Sequence, residues 1–135
     1  MLKTDKPVCL ITGLGDGTGG FTARRFAKAG YRIAMIARTR ERLIKFEKEL
    51  LGSKGYVCDV SDLTVLENTC KKIKDEMGAP EVLIHNAVKG NFEYLLNGKP
   101  EWLEKNFRIN TTSLMYLAHF LIPDMLDNNS MSGIR

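Results

Sequence analysis

"LITGLGDGTGGF", residues 10–21, places five glycines between positions 13 and 20, directly after an apolar run and directly before a helix-like one. Three spacings overlay the same letters: Gly15-x-Gly17-x-x-Gly20, Gly13-x-Gly15-x-Gly17 and Gly13-x-x-x-Gly17-x-Gly19. The periodicity changes across the loop. Pro7 to Thr12 is a short continuous apolar run, the pattern of a strand buried on both faces. From Phe21 onward, Phe21, Ala23, Phe26, Ala27 and Ala29 mark a helical face, and Gly30 supplies a left-handed stop. A strand, a glycine turn and a helix start aim free N–H groups and the positive end of the helix dipole at one point. Phosphate is the ligand that needs both.

The same alternation continues. "YRIAMIA", 31–37, reads as a second strand, and the following helix carries Leu43, Phe46, Leu50 and Leu51 on one face, closed by Gly52. "KGYVCDV", 54–60, is a third strand. Ser61 or Asp62 can cap a helix running to Met77 with Val65, Leu66, Thr69, Ile73 and Met77 inward. "EVLIHN", 81–86, is a fourth strand. One long helix is predicted from Lys99 to about Asp127, with Pro100 in its first turn and Trp102, Phe107, Leu114, Leu117, Leu121 and Met125 along it, followed by a polar tail, "LDNNSMSGIR". Repeated strand–helix units predict right-handed parallel crossovers, hence an α/β doubly wound open sheet in a single domain over residues 1–135.

Composition bounds the function. With 44% hydrophobic and 27% charged residues the chain is globular rather than disordered, and its 135 residues suffice for one core. A net charge of +4, on basic residues scattered apart from a local group at Arg38, Arg40 and Arg42, suits a phosphate-bearing small molecule and argues against nucleic acid. Cys9, Cys58 and Cys70 lack C-x-x-C spacing, which predicts no metal site and a reduced, cytoplasmic setting. There is no signal core, and the longest late apolar stretch, Leu114 to Pro123, is about half a membrane span, so neither secretion nor a membrane is expected.

The residues downstream of the loop choose among the three spacings. Gly-x-Gly-x-Gly belongs to S-adenosylmethionine methyltransferases, which place acids where Ile11 and Ala37 or Arg38 stand here. A P-loop ends Gly-Lys-Ser/Thr, and this loop ends Gly-Gly-Phe. The ordinary dinucleotide fingerprint wants an acid about 20 residues on for the ribose 2′-hydroxyl. Tyr31 to Arg40 contains none and offers Arg38-Thr39-Arg40 instead, whose guanidinium groups match a 2′-phosphate. NADP is therefore expected over NAD. Asp16 argues the other way, since its carboxylate repels a 2′-phosphate unless Arg38 or Arg40 neutralises it, and NAD stays open.

Taken in order, Thr12-Gly13-x-x-x-Gly17-x-Gly19, Asp59-Val60-Ser61-Asp62, "HNAV" at 85–88 and Asn110 in "NFRIN" resemble the short-chain dehydrogenase/reductases over nearly the whole chain. The resemblance implies that Gly13, Gly17 and Gly19, with Asp16 and Thr18 in the turn between, cradle a pyrophosphate. It further implies that Arg38 and Thr39 meet the adenosine ribose, Asp59 and Val60 the adenine, and Asn86, Ala87 and Val88 the central ribose. Asn110, a poor residue for a helix interior, would sit at a kink and hold a water of the proton relay as the one catalytic residue present. His85 and His119 read as hydrogen-bonded packing residues. The implied strand order is 3-2-1-4, and the implied activity is hydride transfer between NADP(H) and a small-molecule carbonyl or alcohol.

Two departures qualify that expectation. Val88 replaces a glycine of the family's Asn-Asn-Ala-Gly, and His85 replaces an Asn. The family's Tyr and the Lys four residues later are also missing, because Tyr31, Tyr56, Tyr94 and Tyr116 are followed at that distance by Met35, Val60, Gly98 and Phe120. The chain is thus expected to stop before a fifth strand, to be inactive alone, and to pair with a second copy through its long fourth helix. A non-catalytic dinucleotide-binding or sensor module is the alternative, and calorimetry with S-adenosylmethionine would test the methyltransferase reading.

Overall fold

The computed structural model describes residues 6–91 and 93–132. Strands β1 (Val8–Thr12), β2 (Arg32–Ala37), β3 (Lys54–Val57) and β4 (Val82–His85) form one parallel sheet in the expected order β3-β2-β1-β4. Helices α1 (Thr18–Lys28), α2 (Arg40–Glu49) and α3 (Leu63–Met77) join successive strands. After β4 come α4 (Pro100–Phe107), a π-helical turn (Arg108–Thr112) and α5 (Ser113–Ser132). The chain builds outward from β1 to β3 and then crosses back to β4. The carboxyl ends of β1 and β4 therefore flank the point where the strand order reverses, the crevice in which open α/β sheets hold ligands.

A strand covered on both faces must be apolar at every position, and β1 is buried throughout. Val8 and Leu10 face one side, packed with Leu66 and Ile73 of α3 and Leu117 and Leu121 of α5. Cys9 and Ile11 face the other, with Ala23 of α1 and Leu43 and Phe46 of α2. All three cysteines are free and buried, and burial pushes the Cys9 and Cys70 thiols up to about 12 and about 11, so they serve as small core residues rather than nucleophiles. Lys74 clamps α3 to α5 through Phe120 O (2.6 Å) and Asp124 Oδ2 (2.6 Å). At the amino-terminal rim of the sheet, Arg32 Nη2 donates to Met77 O (2.7 Å) and Lys6 O (3.3 Å).

Helix phases differ from the expected ones in places. Phe21 is 70% exposed, because α1 starts at Thr18 and turns Gly19, Gly20 and Ala23 to the core. Leu51 is 91% exposed, because α2 ends at Glu49 and Leu51 falls in the turn that Gly52 completes at φ +77°. Val65 is exposed as well. Of the two candidate caps, Asp62 starts α3, its Oδ1 accepting from Val65 N (3.1 Å). The single long helix is instead two helices joined by a π turn, in which Ser113 N–H reaches back five residues to Arg108 O. Beyond Phe107 the buried positions run Ile109, Ser113, Leu117 and Leu121, while Phe107 and Leu114 are exposed. The expected polar tail is helical as far as Ser132, and residues 133–135 lie outside the described residues.

β3 is an edge strand, and its outward-facing Gly55 is capped by side chains. Gly55 N–H donates to Glu47 Oε1 (2.7 Å), Gly55 O accepts from Arg40 Nη1 (3.4 Å), and Arg40 and Glu47 pair at 3.0 Å. Arg40 thus serves the sheet edge rather than Asp16.

Candidate functional site

The site is built where the turn after β1 meets the segment after β4. Gly13 takes φ +68°, and a Cβ there would stand 2.5 Å from Ala87 N, so glycine alone lets the two backbones touch. Gly13 O accepts from Asn86 Nδ2 (3.0 Å). The buried Thr12 Oγ1 accepts from both Asn86 N and Ala87 N, each at 3.2 Å. Leu14 N donates to Ile36 O (3.2 Å), tying the loop to β2 as well. Gly20, for which the spacing suggested no role, is a packing position: a Cβ there would run into Gly15 O and stand 2.8 Å from Phe46 Cζ.

Gly17 differs from its neighbours. Nothing lies within 4 Å of a Cβ added there, and α1 begins beside it with no side-chain cap and no acid in its first turn. The first amides of a helix have no partner within the helix, and its dipole favours an anion at that end. Open space, uncapped amides and a positive helix end together fit a pyrophosphate, which Gly17, Thr18 and Gly19 would meet.

A cavity of about 380 Å³ opens at the carboxyl ends of the strands. Of the residues expected to bind cofactor, Gly13, Arg38, Asp59, Val60, Asn86, Ala87 and Val88 line it, whereas Asp16, Gly17, Thr18, Gly19 and Thr39 do not, nor does Asn110, the expected relay residue. Leu14, Arg42, Cys58, Lys89 and Ile109 line it without having been singled out. Arg42 had a legible signal. It belongs to the local basic group Arg38, Arg40 and Arg42, although it was not assigned to the cofactor.

Charge around the cavity is set by a few pairs. Asp16, the residue that argued against a 2′-phosphate, lies outside it with its Oδ1 2.6 Å from Lys45 Nζ, and that hydrogen bond and charge hold its carboxyl below the usual range. Lys45 thus takes the part expected of Arg38 or Arg40. Asp59 Oδ1 accepts from Ser61 Oγ (2.7 Å) and Ser61 N (2.9 Å). The Ser61 hydroxyl first, with the Ser61 amide and the charges of Arg38 and Lys105, lowers the Asp59 pKa, so it is a carboxylate at neutral pH.

Asn110 lies in the π turn, and both ends of its amide are used: Lys89 N donates to Oδ1 and Nδ2 donates to Lys89 O, each at 2.8 Å. The kink expected at Asn110 is this turn. His85, at the end of β4, bridges the two halves. Its Nδ1 is 2.8 Å from Thr12 Oγ1 and its Nε2 3.0 Å from Ile109 O and 3.3 Å from Ser113 Oγ.

A family model described as short chain dehydrogenase matches residues 7–133. The chain belongs to the short-chain dehydrogenase family. It is 31% identical over 130 residues to mouse 17-beta-hydroxysteroid dehydrogenase 13, covering 90% of this chain and 41% of that protein. It is 28% identical over 123 residues to bovine short-chain dehydrogenase/reductase 3, covering 87% and 41%. Among solved structures, a short-chain dehydrogenase from Streptomyces avermitilis superposes with a TM-score of 0.86 at 22% identity, over 92% of this chain and 46% of that one. The L-sorbose reductase of Gluconobacter frateurii complexed with NADPH and L-sorbose gives 0.85 at 23%, over 92% and 49%. This short-chain dehydrogenase sequence therefore spans about two fifths of the length of these curated relatives. Among its described residues no helix is long and apolar enough to cross a membrane.

Proposed function

We propose that this chain holds NADP(H) for an oxidoreductase that interconverts a small-molecule carbonyl and alcohol. The observation that carries the cofactor choice is the pair Arg38 and Arg42 on the cavity wall, at the end of a β2 that offers no acid. Two guanidinium groups four residues apart suit the oxygens of a 2′-phosphate, and an acid suited to a ribose hydroxyl is missing. Asp59 accepts from the adenine amine, and Asn86 and Ala87 bound the central ribose. Asn110 braces the backbone of Lys89 and leaves the π turn to present a carbonyl for the relay water. Bound NADP(H) supplies the hydride.

Fluorescence titration of the full chain with NADPH and NADH tests this. NADPH binds more tightly, and Arg38→Ala and Arg42→Ala each reduce the NADPH:NADH preference by about tenfold, the scale of one lost charge-assisted hydrogen bond. Arg40→Ala leaves the preference alone, because Arg40 is occupied at the β3 edge. An unchanged preference in both cavity variants overturns the NADP assignment. Absence of binding by either dinucleotide, with S-adenosylmethionine as a parallel arm, overturns the dinucleotide reading itself.

The alternative reading is a non-catalytic dinucleotide-binding or sensor module. Turnover by the parent reading frame separates the two. Pairing of two copies along α5, where Met115, Ile122 and Leu126 are exposed, completes the proposal. Sedimentation velocity that stays monomeric with rising concentration removes that part.

A further inference from the structure

The hydrogen bonds around His85 admit one arrangement of protons. A threonine hydroxyl has two lone pairs and one hydrogen. Both lone pairs of Thr12 Oγ1 are engaged by Asn86 N and Ala87 N, so its hydrogen points to the remaining neighbour, His85 Nδ1 at 2.8 Å. Nδ1 is then the acceptor, and the ring hydrogen sits on Nε2. That hydrogen is donated to Ile109 O at 3.0 Å, with Ser113 Oγ at 3.3 Å beside it. Ser113 donates its own hydrogen to Ile109 O (2.6 Å), which leaves its oxygen free to face the ring N–H.

We propose that His85 is a positioning residue of the dinucleotide site, acting only as the neutral Nε2–H tautomer: it holds Asn86 and Ala87 through Thr12, and the π turn of Asn110 through Ile109. The proposal rests on the dinucleotide reading above. A second ring proton would place a donor against Thr12 Oγ1, whose lone pairs are already taken and whose own hydrogen would lose its acceptor. At least one of the amides of Asn86 and Ala87 would then lose its partner, and these residues line the cavity beside Gly13. Among the described residues, nothing charged offsets that proton. Among the described residues, β1 presents the Thr12 hydroxyl, the π turn the Ile109 carbonyl, α5 the Ser113 hydroxyl and the segment after β4 the Asn86 amide. Burial disfavours the charged ring, and the Ile109 carbonyl opposes this only in part. Dinucleotide affinity therefore falls as pH drops through the lower part of the histidine range.

Two measurements on the full chain test this. In a 15N-labelled sample, long-range 1H–15N correlations at pH 7.5 show a bare Nδ1 and a protonated Nε2, and the Asn86 and Ala87 amide shifts follow the ring as it titrates. A protonated Nδ1, or amides that ignore the ring, overturns the proposal without any variant. Affinity for NADPH and NADH is then followed from pH 8 to pH 5.5 in the wild type and in His85→Asn, whose amide can also accept on one side and donate on the other but does not titrate. A 2′-phosphate itself titrates near pH about 6, so the signal is the difference between the two proteins. The wild type loses affinity more steeply, with a limit of about tenfold per pH unit for one linked proton. The exposed His119 is common to both proteins and cancels. Superposable profiles overturn the positioning role. If neither dinucleotide binds at any pH, the functional reading fails while the amide titration still decides what His85 does.

Discussion

At the scale of single residues, the glycine loop separates into positions that pack and positions that leave room. Gly13→Ala would place a Cβ against Ala87 N in a left-handed conformation, and we expect it to lower unfolding stability by at least about 2 kcal/mol, read as a shift in the urea midpoint. Gly17→Ala meets nothing, so its stability change stays within about 1 kcal/mol while NADPH binding is lost. A Gly17→Ala protein that binds normally would place the pyrophosphate elsewhere. The loop's glycines were legible in the sequence as a group. Their division of labour was not, because Gly20 is defined by Phe46, 26 positions away, and Asp16 by Lys45, 29 positions away. Arg42 could have been found from the local basic group it forms with Arg38 and Arg40, whereas Lys89 and Ile109 enter the cavity by the path of the chain after β4 and left no pattern to read.

At the scale of elements, strands were easier to read than helices for a physical reason. A strand buried on both faces is apolar at every residue and has no phase to misjudge, whereas a helix must be both located and rotated. Phe21, Leu51 and Phe107 were each assigned inward by hydrophobicity, and each is exposed because a start, a stop or a π turn rotates the helix away from the expected angle. The π turn follows from a backbone pattern rather than a residue type, so only the oddity of Asn110 inside a helix hinted at it. The edge strand carries its own test. Glu47→Ala removes the acceptor of Gly55 N–H and the partner of Arg40, and it should lower stability by about 1 kcal/mol and increase self-association through β3. Light scattering that matches the wild type would mean the edge is protected by other means.

At the scale of the whole molecule, acid acts in two separate windows. His85 is disfavoured in its charged form by burial, so its pKa is lower in the folded than in the unfolded state. The unfolded chain then binds more protons, and stability is whole above the ordinary histidine value of 6.5 and falls below it. Asp59 and Glu76 are held low by Ser61 and Lys54 respectively, and their contribution is lost only as pH falls below the ordinary carboxylate values of 3.8 and 4.5. Urea midpoints between pH 8 and pH 3 should show a plateau and two descents, the upper one absent from His85→Asn. A single descent confined to the carboxylate range would mean that His85 is as easily protonated folded as unfolded.

Because all four strands run the same way, the two rims of the sheet differ, and the contacts of Arg32 mark the one opposite the cavity. Those contacts, with Lys6 and Met77, lie about 16 Å, the length of β1, from the rim where the cavity opens. Glu81, just before β4 at this same rim, has an exposed side chain, and its N–H donates to Val8 O (2.9 Å). A fluorophore or surface tether attached there would give the molecule a handle, with its binding mouth facing outward into solution.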